Sequence, residues 1–241
     1  MKVLAVIPAR GGSKGIPLKN LVNLAGRPLL EWTIDVALAC PGVDEIVVST
    51  DHPKISACAV RAGVRVVDRP ADLACDSAPT APVIKHAWEQ VCLAGFIADI
   101  VMTLQPTSPL RRPDQLTQAL EMFLRHPEAD SLVSLQRLPH QFAPDALMNL
   151  SGSWAAPASI NAPFRRQDKM LYWARNGAAI YLTRAANLHK FVWGGKTLGF
   201  EMDKISSIDI DDFDDLKFAE ALLTFTRARQ GVRALDPNQL E

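Results

Sequence analysis

The chain has 241 residues, 48% of them hydrophobic, and its 26 basic residues balance its 26 acidic residues at a formal net charge of zero. A chain of this length can bury roughly 70–75% of its unfolded surface, so it needs no disulfide or metal staple to fold. The neutral balance argues against a nucleic-acid polymer or an anionic membrane as partner, and any anion site must be a local cluster of cations.

The four cysteines form no C-x-x-C pair and have no histidine pair nearby. This pattern is typical of free thiols in a reducing cytoplasm, where we expect the protein to work. The N-terminus has the pattern of a strand and not of a signal peptide, and no run of about 18 apolar residues predicts a membrane span.

Short apolar runs alternate with helical patterns along the first half of the chain. In chain order we predict strand Val3–Ile7, helix Leu29–Leu38, strand Glu45–Ser49, helix Pro53–Ala62, strand Val64–Val67, helix Ala81–Leu93, strand Ile100–Leu104, helix Asp114–Leu124 and strand Ser131–Leu135. Since these strands are apolar almost throughout, they predict a mainly parallel sheet covered by helices on both faces, an α/β fold of the Rossmann-like type.

The rhythm breaks between Arg137 and Arg175, where Pro, Asn, Gln, Arg and aromatic residues are frequent. A structureless loop of that length is unusual in a compact domain, so we predict an excursion that packs against a second subunit. Apolar runs then return at Asn176–Thr183, Lys196–Met202 and Ser206–Asp211, before a last helix from Asp212 to about Arg229. We interpret 1–230 as one domain and 231–241 as a frayed tail.

A glycine-rich basic loop, "PARGGSKGIPLKN" (residues 8–20), follows the first strand. It is neither a Walker A loop nor a G-x-G-x-x-G dinucleotide loop. Its glycines let backbone amides turn toward a ligand, and its three cations suit the charge of a triphosphate. Arg10 can fork onto phosphate oxygens, while Lys14 and Lys19 act as point charges.

Polar segments also follow other predicted strands. "STD" ends the second strand, and "QPTSPLRR" (residues 105–112) follows the fourth. Because ligands of open parallel sheets bind beyond the carboxyl ends of the strands, these segments and the basic loop predict one shared site.

We interpret "SIDID" (Ser207–Asp211) as a strand whose alternation places Asp209 and Asp211 on the same face. Two carboxylates about 7 Å apart repel each other unless a cation lies between them. Mg²⁺ or Mn²⁺, with water and phosphate oxygens as its other ligands, fits that need. The acids that follow Asp211 are expected in the first turn of the last helix, as its dipole favours.

These motifs resemble those of the acylneuraminate cytidylyltransferases, also called CMP-sialic acid synthetases. The resemblance covers residue 2 to about residue 220, and its segments, weak singly, are specific together. In order they are "IPARGGSKGIPLKN", "VSTD", "RPADLACDSAP", "LQPTSPLR", "RRQD", "NGAAIY" and "SIDID".

The resemblance implies a homodimeric enzyme that transfers CMP from CTP to the anomeric hydroxyl of a nonulosonic (sialic-acid-like) sugar acid and releases pyrophosphate. It implies catalytic roles for Arg10, Lys14, Lys19, Asp209 and Asp211, the two aspartates also holding Mg²⁺ or Mn²⁺. The implied nucleotide contacts are Ala9, Arg10, Gly11, Gly12, Ser13, Lys14, Lys19, Asn20, Arg69, Asp76, Thr80 and Asn176. The implied sugar contacts are Gln105, Thr107, Ser108, Arg166, Gln167, Tyr172 and Trp193.

The chain departs from the family pattern where the sugar would bind. An extra alanine in "NGAAIY" predicts a bulge or a shift in side-chain phase. Arg175 directly precedes Asn176, whereas the family often has its basic residue two positions before that asparagine. Val192 and Trp193 replace the family's aromatic pair. Tyr172, Trp173 and Trp193 are expected either in the sugar pocket or at a dimer interface.

These departures leave CTP use untouched and leave the sugar open among Neu5Ac, KDN, legionaminic and pseudaminic acids. Two alternatives stay open: transfer of CMP to a shorter 3-deoxy-ulosonic acid such as KDO, and a nucleotide-binding homologue without catalysis. The general base is open among Asp209, Asp211 and a metal-bound water.

Overall fold

A computed structural model describes residues 1–158 and 170–233. Its strands are β1 (Val3–Pro8), β2 (Asn23–Leu24), β3 (Arg27–Pro28), β4 (Glu45–Thr50), β5 (Arg65–Asp68), β6 (Ile100–Thr103), β7 (Ser131–Arg137), β8 (Met148–Ser151), β9 (Trp154–Pro157), β10 (Trp173–Arg175), β11 (Tyr181–Arg184) and β12 (Thr197–Met202). Its α-helices are α1 (Leu29–Leu38), α2 (Pro53–Arg61), α3 (Thr80–Leu93), α4 (Pro113–Leu124) and α5 (Phe213–Arg233).

Eight of these strands form one mixed sheet. β1 pairs in parallel with β4 and β6, β4 with β5, and β7 with β12, whereas β10 and β11 run antiparallel to their neighbours. The predicted mainly parallel sheet is therefore confirmed. Because the parallel strands end at one edge, the loops after β1, β4 and β6 meet there.

Helices cover both faces of the sheet, as the apolar strands predicted. In β1, Val3, Ala5 and Ile7 belong to a buried cluster that also contains side chains of α1, α2 and α4. Leu4 and Val6 belong to a second cluster, together with side chains of α3. Alternate residues of a strand point to opposite faces, so a strand with no polar residue is buried on both sides. A third, smaller cluster packs α5 beneath the loop that follows β1.

The predicted bounds agree closely with the structure as far as β7. The helix α1 is Leu29–Leu38 as predicted, and the other predicted elements in this part differ by no more than two residues at either end. The short hairpin of β2 and β3 was not predicted. The differences begin where antiparallel strands enter the sheet.

The predicted strand Asn176–Thr183 was wrong in its first half. β10 pairs with Leu135–Arg137 and β11 pairs with Ser131–Val133, so residues 176–180 loop out opposite Ser134 alone. Ser134 closes this loop, since its backbone N–H donates to Ile180 O (2.9 Å) and its hydroxyl accepts from Ile180 N (3.0 Å). The extra alanine is thus taken up in a bulge, and we call residues 176–180 the bulge loop.

Two predictions near the C-terminus also need correction. Ser207–Asp211 is not a strand, because β12 ends at Met202 and pairs with β7 without reaching this segment. The last helix, α5, continues to Arg233, past the predicted end at Arg229 and into the predicted tail. The remainder of that tail, 234–241, lies outside the described residues.

The predicted excursion leaves the sheet after β7. β8 and β9 form an antiparallel hairpin in which every residue is exposed. Among residues 1–158 and 170–233, no helix has the length and apolarity that crossing a bilayer requires.

Candidate active site

A cleft of about 290 Å³ opens at the edge of the sheet where β1 and β6 end. Most of its lining comes from the basic loop, the segment after β5, the segment after β6 and the segment before α5. The lining residues are Pro8, Arg10, Gly12, Ser13, Lys19, Asn20, Arg69, Leu73, Cys75, Asp76, Ala78, Thr80, Val83, Gln105, Pro106, Thr107, Asp209 and Asp211. We call this cavity the first cleft.

Close backbone contacts hold the basic loop in place. Gly11 N donates to Asp51 Oδ1 at 2.9 Å, and Asn20 Nδ2 donates to Arg10 O at 2.9 Å. A Cβ atom at Gly15 would overlap the carbonyl oxygen of Asp211, so glycine is required there for the loop to lie against the aspartate segment. The loop and the two aspartates therefore form one wall of the first cleft.

The cations of the loop are paired with acids of the same cleft. Arg10 Nη1 lies 2.8 Å from Asp76 Oδ1, and Lys14 Nζ lies 3.5 Å from Asp76 Oδ2. Lys19 Nζ donates to Ile210 O at 2.8 Å and to Asp211 Oδ1 at 3.1 Å. An anionic ligand that binds Arg10 and Lys14 must compete with the carboxylate of Asp76.

Arg69 is a buried cation that also lines the first cleft. Its Nη2 donates to Ser49 O at 2.7 Å and its Nε to Ser49 Oγ at 3.3 Å, which fixes the guanidinium at the end of β4. Burial lowers the pKa of Arg69 to about 10, opposed by the nearby charge of Asp51. An arginine keeps its proton at neutral pH even so, and Arg69 presents a fixed positive charge to the first cleft.

Asp209 and Asp211 both line the first cleft, although no strand holds them. The Asp211 side chain is 80% exposed, whereas Asp209 is half-buried, and burial raises the pKa of its carboxyl group. Asp209 Oδ1 is buried, and no group of residues 1–158 or 170–233 lies in good hydrogen-bond geometry to it, although the Thr107 hydroxyl and the charges of Lys19 and Arg111 stabilise its charged form. A buried carboxylate oxygen without a well-aligned donor, beside a second carboxylate, fits Mg²⁺. Nowhere in the described part of the chain do three or more His, Cys, Asp or Glu side chains form a group that could hold a metal ion, so phosphate and water oxygens would have to complete the coordination.

A second cleft of about 540 Å³ adjoins the first, and the two share Thr80 and Gln105. Its other lining residues are Ala81, Arg175, Gly177, Ala178, Tyr181, Lys190, Phe191, Val192 and Trp193. These include two cations and three aromatic side chains, and none of the described lining residues is acidic. The charge of the second cleft therefore favours an anionic ligand.

The bulge loop joins the two clefts. Gly177 lines the second cleft with a φ of 67°, and a Cβ atom there would lie 2.9 Å from Asp209 Oδ2. Gln105 N donates to Ala178 O at 2.9 Å. Gln105 and Asp209 thus stand at the junction, where a group bound in one cleft can reach a group bound in the other.

Arg111 connects Gln105 to the bulge loop and to α1 through hydrogen bonds. Its guanidinium is almost fully buried and donates to Gln105 O, to Ala179 O and, at 2.6 Å, to Thr33 Oγ1. Burial lowers the pKa of Arg111 to about 9, opposed by the charge of Asp209. Arg111 ends the segment "LQPTSPLR", but nothing in that segment predicts that its side chain is buried.

The structure brings most of the predicted site residues to the two clefts. Those that line the first cleft are Arg10, Gly12, Ser13, Lys19, Asn20, Arg69, Asp76, Thr80, Gln105, Thr107, Asp209 and Asp211. Lys14 lines a recess beside it with Asp76 and Asp211, and Trp193 lines the second cleft.

Other predicted residues lie outside both clefts. Asn176 is buried and its amide is engaged within the fold, accepting from Ser134 Oγ at 2.7 Å and donating to Ser207 Oγ at 3.0 Å. Ala9 donates its N–H to Ser49 O, and Gly11 packs against His52. Ser108, Tyr172 and Trp173 line neither cleft. Ser108 is fully buried, and the backbone oxygen of Tyr172 accepts a hydrogen bond from Leu138 N. Trp173 Nε1 donates to Glu201 Oε2. Arg166 and Gln167 lie outside the described residues.

Sequence reasoning missed Tyr181 and Lys190 and gave Arg175 no role. The displaced position of Arg175 relative to Asn176 was the available signal, but only the structure shows that its side chain lines the second cleft. Tyr181 ends the quoted segment "NGAAIY" but was given no role, and Lys190 lies in none of the quoted motifs.

Comparison with known proteins agrees with this geometry. A family model described as cytidylyltransferase matches residues 4–192. Curated relatives include an N-acylneuraminate cytidylyltransferase of Escherichia coli, 31% identical over 90% of this chain and 51% of its own length. Another is N-acylneuraminate cytidylyltransferase A of Danio rerio, 33% identical over 90% of this chain and 50% of its own length. The chain therefore spans about half the length of the curated relatives it matches.

A solved structure of CMP:2-keto-3-deoxy-manno-octonic acid synthetase complexed with CTP has the same fold, with a TM-score of 0.72 at 20% identity over 94% of this chain and 100% of that chain. A solved 4-diphosphocytidyl-2C-methyl-D-erythritol synthase has a TM-score of 0.66 at 15% identity, over 92% of this chain and 98% of that one. The family model covers well over half of the sequence, and the relatives match across nearly all of it. The chain belongs to the cytidylyltransferase family.

Proposed function

We propose that this protein transfers CMP from CTP to the anomeric hydroxyl of a nonulosonic, sialic-acid-like sugar acid and releases pyrophosphate. The observation that carries the proposal is the junction of two clefts at Gln105, one with cations and paired aspartates, the other cationic and aromatic. The names of the curated relatives, N-acylneuraminate cytidylyltransferases, support the same reaction.

In this proposal the first cleft takes CTP. Arg10, Lys14 and Lys19 bind the phosphates, after the ligand displaces Asp76 from the first two. Arg69, fixed by Ser49, is placed for the cytosine base. The glycines of the loop let its backbone approach the phosphates, as in other phosphate-binding loops.

Asp209 and Asp211 would hold Mg²⁺ or Mn²⁺ against the phosphates of CTP. When bound, such an ion neutralises charge on the phosphate oxygens and on the leaving pyrophosphate. Lys19 lies beside this position, with its Nζ on Asp211 and on the backbone of Ile210, and so adds a fixed cation to the same charge.

The second cleft takes the sugar acid. Gln105 orients the sugar at the junction. The oxygen of the sugar's anomeric hydroxyl forms a bond to the α-phosphorus as the bond to the pyrophosphate oxygen breaks, and the hydroxyl proton passes to a base, for which Asp209 and Asp211 are the candidates in this chain. The nucleophile is a crowded hydroxyl on the carbon that bears the carboxylate, so holding it in line contributes more than raising its reactivity.

The test is pyrophosphate release from CTP and Mg²⁺ with a panel of Neu5Ac, KDN, legionaminic acid and pseudaminic acid, and with KDO as a separate arm. We expect release with at least one nonulosonic acid, its loss in EDTA and its return with Mg²⁺. CTP binding without release for any sugar would contradict the enzyme, and release with KDO alone would favour the shorter sugar.

We further propose that the protein is a cytoplasmic homodimer that associates through the 137–175 excursion. Large apolar side chains are exposed along its described part, among them Leu150 at 76% and Trp154 at 84%. Exposed apolar side chains in such number are typical of an interaction surface. Sedimentation should give about twice the 26.4 kDa of the chain, and Trp154→Asp should shift it toward monomer. A monomer at micromolar concentration would contradict the proposal.

A further inference from the structure

The Arg175 side chain contacts two aromatic side chains, Trp193 and Tyr181, in the second cleft. Its guanidinium carbon lies 4.3 Å from the centre of the Trp193 ring, and its Nη1 donates to Tyr181 Oη at 3.4 Å. All three side chains line the cleft. Stacking on an indole uses the face of the guanidinium plane and leaves the N–H donors along its edge available.

The charge of Arg175 is not neutralised by these contacts. Trp193 and Tyr181 are neutral, and none of the described lining residues of the cleft is acidic. A fixed, uncompensated guanidinium with free edge donors is the arrangement that binds a carboxylate through two parallel hydrogen bonds. The Trp193 ring, which the sequence suggested for packing on the sugar, is already occupied by the arginine.

We propose that Arg175 binds the carboxylate of the sugar acid and that Trp193 is the positioning residue that holds it there. The inference rests on the proposed function and adds a residue that determines which sugars are accepted. In a nonulosonic acid the carboxylate and the attacking hydroxyl share one carbon. A group that fixes the carboxylate therefore also orients the nucleophile toward the α-phosphate.

Lys190 is the other cation of the second cleft and is the natural competitor for this role. Like Arg175 it is exposed, but its ammonium lies close enough to Asp130 to help lower the pKa of that carboxyl group. A lysine ammonium is a hydrated point charge that does not impose a direction on a carboxylate. Lys190→Gln removes one charge from the same cleft and so tests the competitor directly. Arg65→Gln makes the same replacement as Arg175→Gln at an arginine that pairs with Glu45 at 4.0 Å and lines neither cleft, and it is the control.

The test compares KM for Neu5Ac and for CTP among variants, with pyrophosphate release as readout. Arg175→Gln should raise the KM for the sugar about 30-fold, the loss of a charge-assisted pair. Trp193→Leu should raise it about fivefold and Trp193→Phe less than about twofold, because phenylalanine keeps the stack. The KM for CTP should change by less than about twofold in all of them. Lys190→Gln should raise the sugar KM by less than Arg175→Gln does, and Arg65→Gln should change it by less than about twofold. A larger rise in Lys190→Gln than in Arg175→Gln would overturn the assignment.

A second readout separates binding from folding. In a titration of the protein with Neu5Ac and with its C1 carboxamide, the unaltered chain should prefer the acid and Arg175→Gln should show no preference. Equal binding of acid and amide by the unaltered chain, or a retained preference in Arg175→Gln, would overturn the assignment. If the unaltered chain prefers the acid, Arg175→Gln loses that preference and no sugar gives pyrophosphate release, the assignment of Arg175 stands and only the proposed reaction is contradicted.

Discussion

Replacing Asp211 with asparagine should lower Mg²⁺-dependent pyrophosphate release by about 10³-fold. The neutral amide would bind Mg²⁺ more weakly than the carboxylate does, and the ion would no longer stabilise the charge of the transition state. The fold should survive, since the side chain is 80% exposed and its described side-chain contact is with Lys19 Nζ, which also keeps its bond to Ile210 O. Initial rates across a Mg²⁺ series, with the melting temperature beside them, measure both effects.

Asp214→Asn is the matched control for this variant. It removes the same charge three residues along the chain, from a side chain that is 92% exposed and pairs with Lys217 at 3.3 Å. Its turnover should stay within about twofold, as exposed pairs contribute little. Normal turnover of Asp211→Asn would remove the metal assignment, and a lower rate with unchanged Mg²⁺ dependence would give Asp211 another role.

The parallel half of the fold could be predicted because its signals are local. Apolar runs bounded by glycine and proline mark the strands, and the apolar spacing marks α1 to α4. The central strands β1 and β6 are also apolar on both faces of the sheet, which is typical of buried parallel strands. The antiparallel part could not be predicted this way, since the five-residue bulge loop depends on its pairing opposite Ser134 in a distant strand.

The two aspartates lie together at the cleft as predicted, but the predicted strand that was to hold them is absent. Asp209 and Asp211 do line one cleft, but alternation in a strand is not the reason. The segment is held by a bond from Ile210 N to Thr107 O, at 2.8 Å, and by its close approach to Gly15. Both contacts join residues far apart in sequence, so no periodicity records them.

The residues that sequence reasoning placed well are those on loops after parallel strands, because the topology alone brings such loops together. Asn176 lies in a motif and yet is buried within the fold, where its amide bonds to Ser134 and Ser207. Arg111, in contrast, was given no role from the sequence, although its side chain supports the junction of the two clefts. An arginine before Arg112 and Pro113 gives no sign in the sequence that it is buried, and its role depends on three acceptors from three separate segments.

Replacing Arg111 with methionine should lower the free energy of unfolding by about 3 kcal/mol, because Gln105 O, Ala179 O and Thr33 Oγ1 would together lose their buried donor. Removing a buried charge offsets part of that cost. Thr33→Val, which removes one acceptor and keeps the guanidinium on the two carbonyls, should cost about 1 kcal/mol. Urea unfolding measures both.

Since Gln105 and the bulge loop share this donor, sugar-dependent turnover of folded Arg111→Met should fall while CTP binding persists. A methionine variant as stable and active as the original would mean that the buried charge costs as much as its hydrogen bonds contribute, and that the junction is held by the bond from Gln105 N to Ala178 O instead.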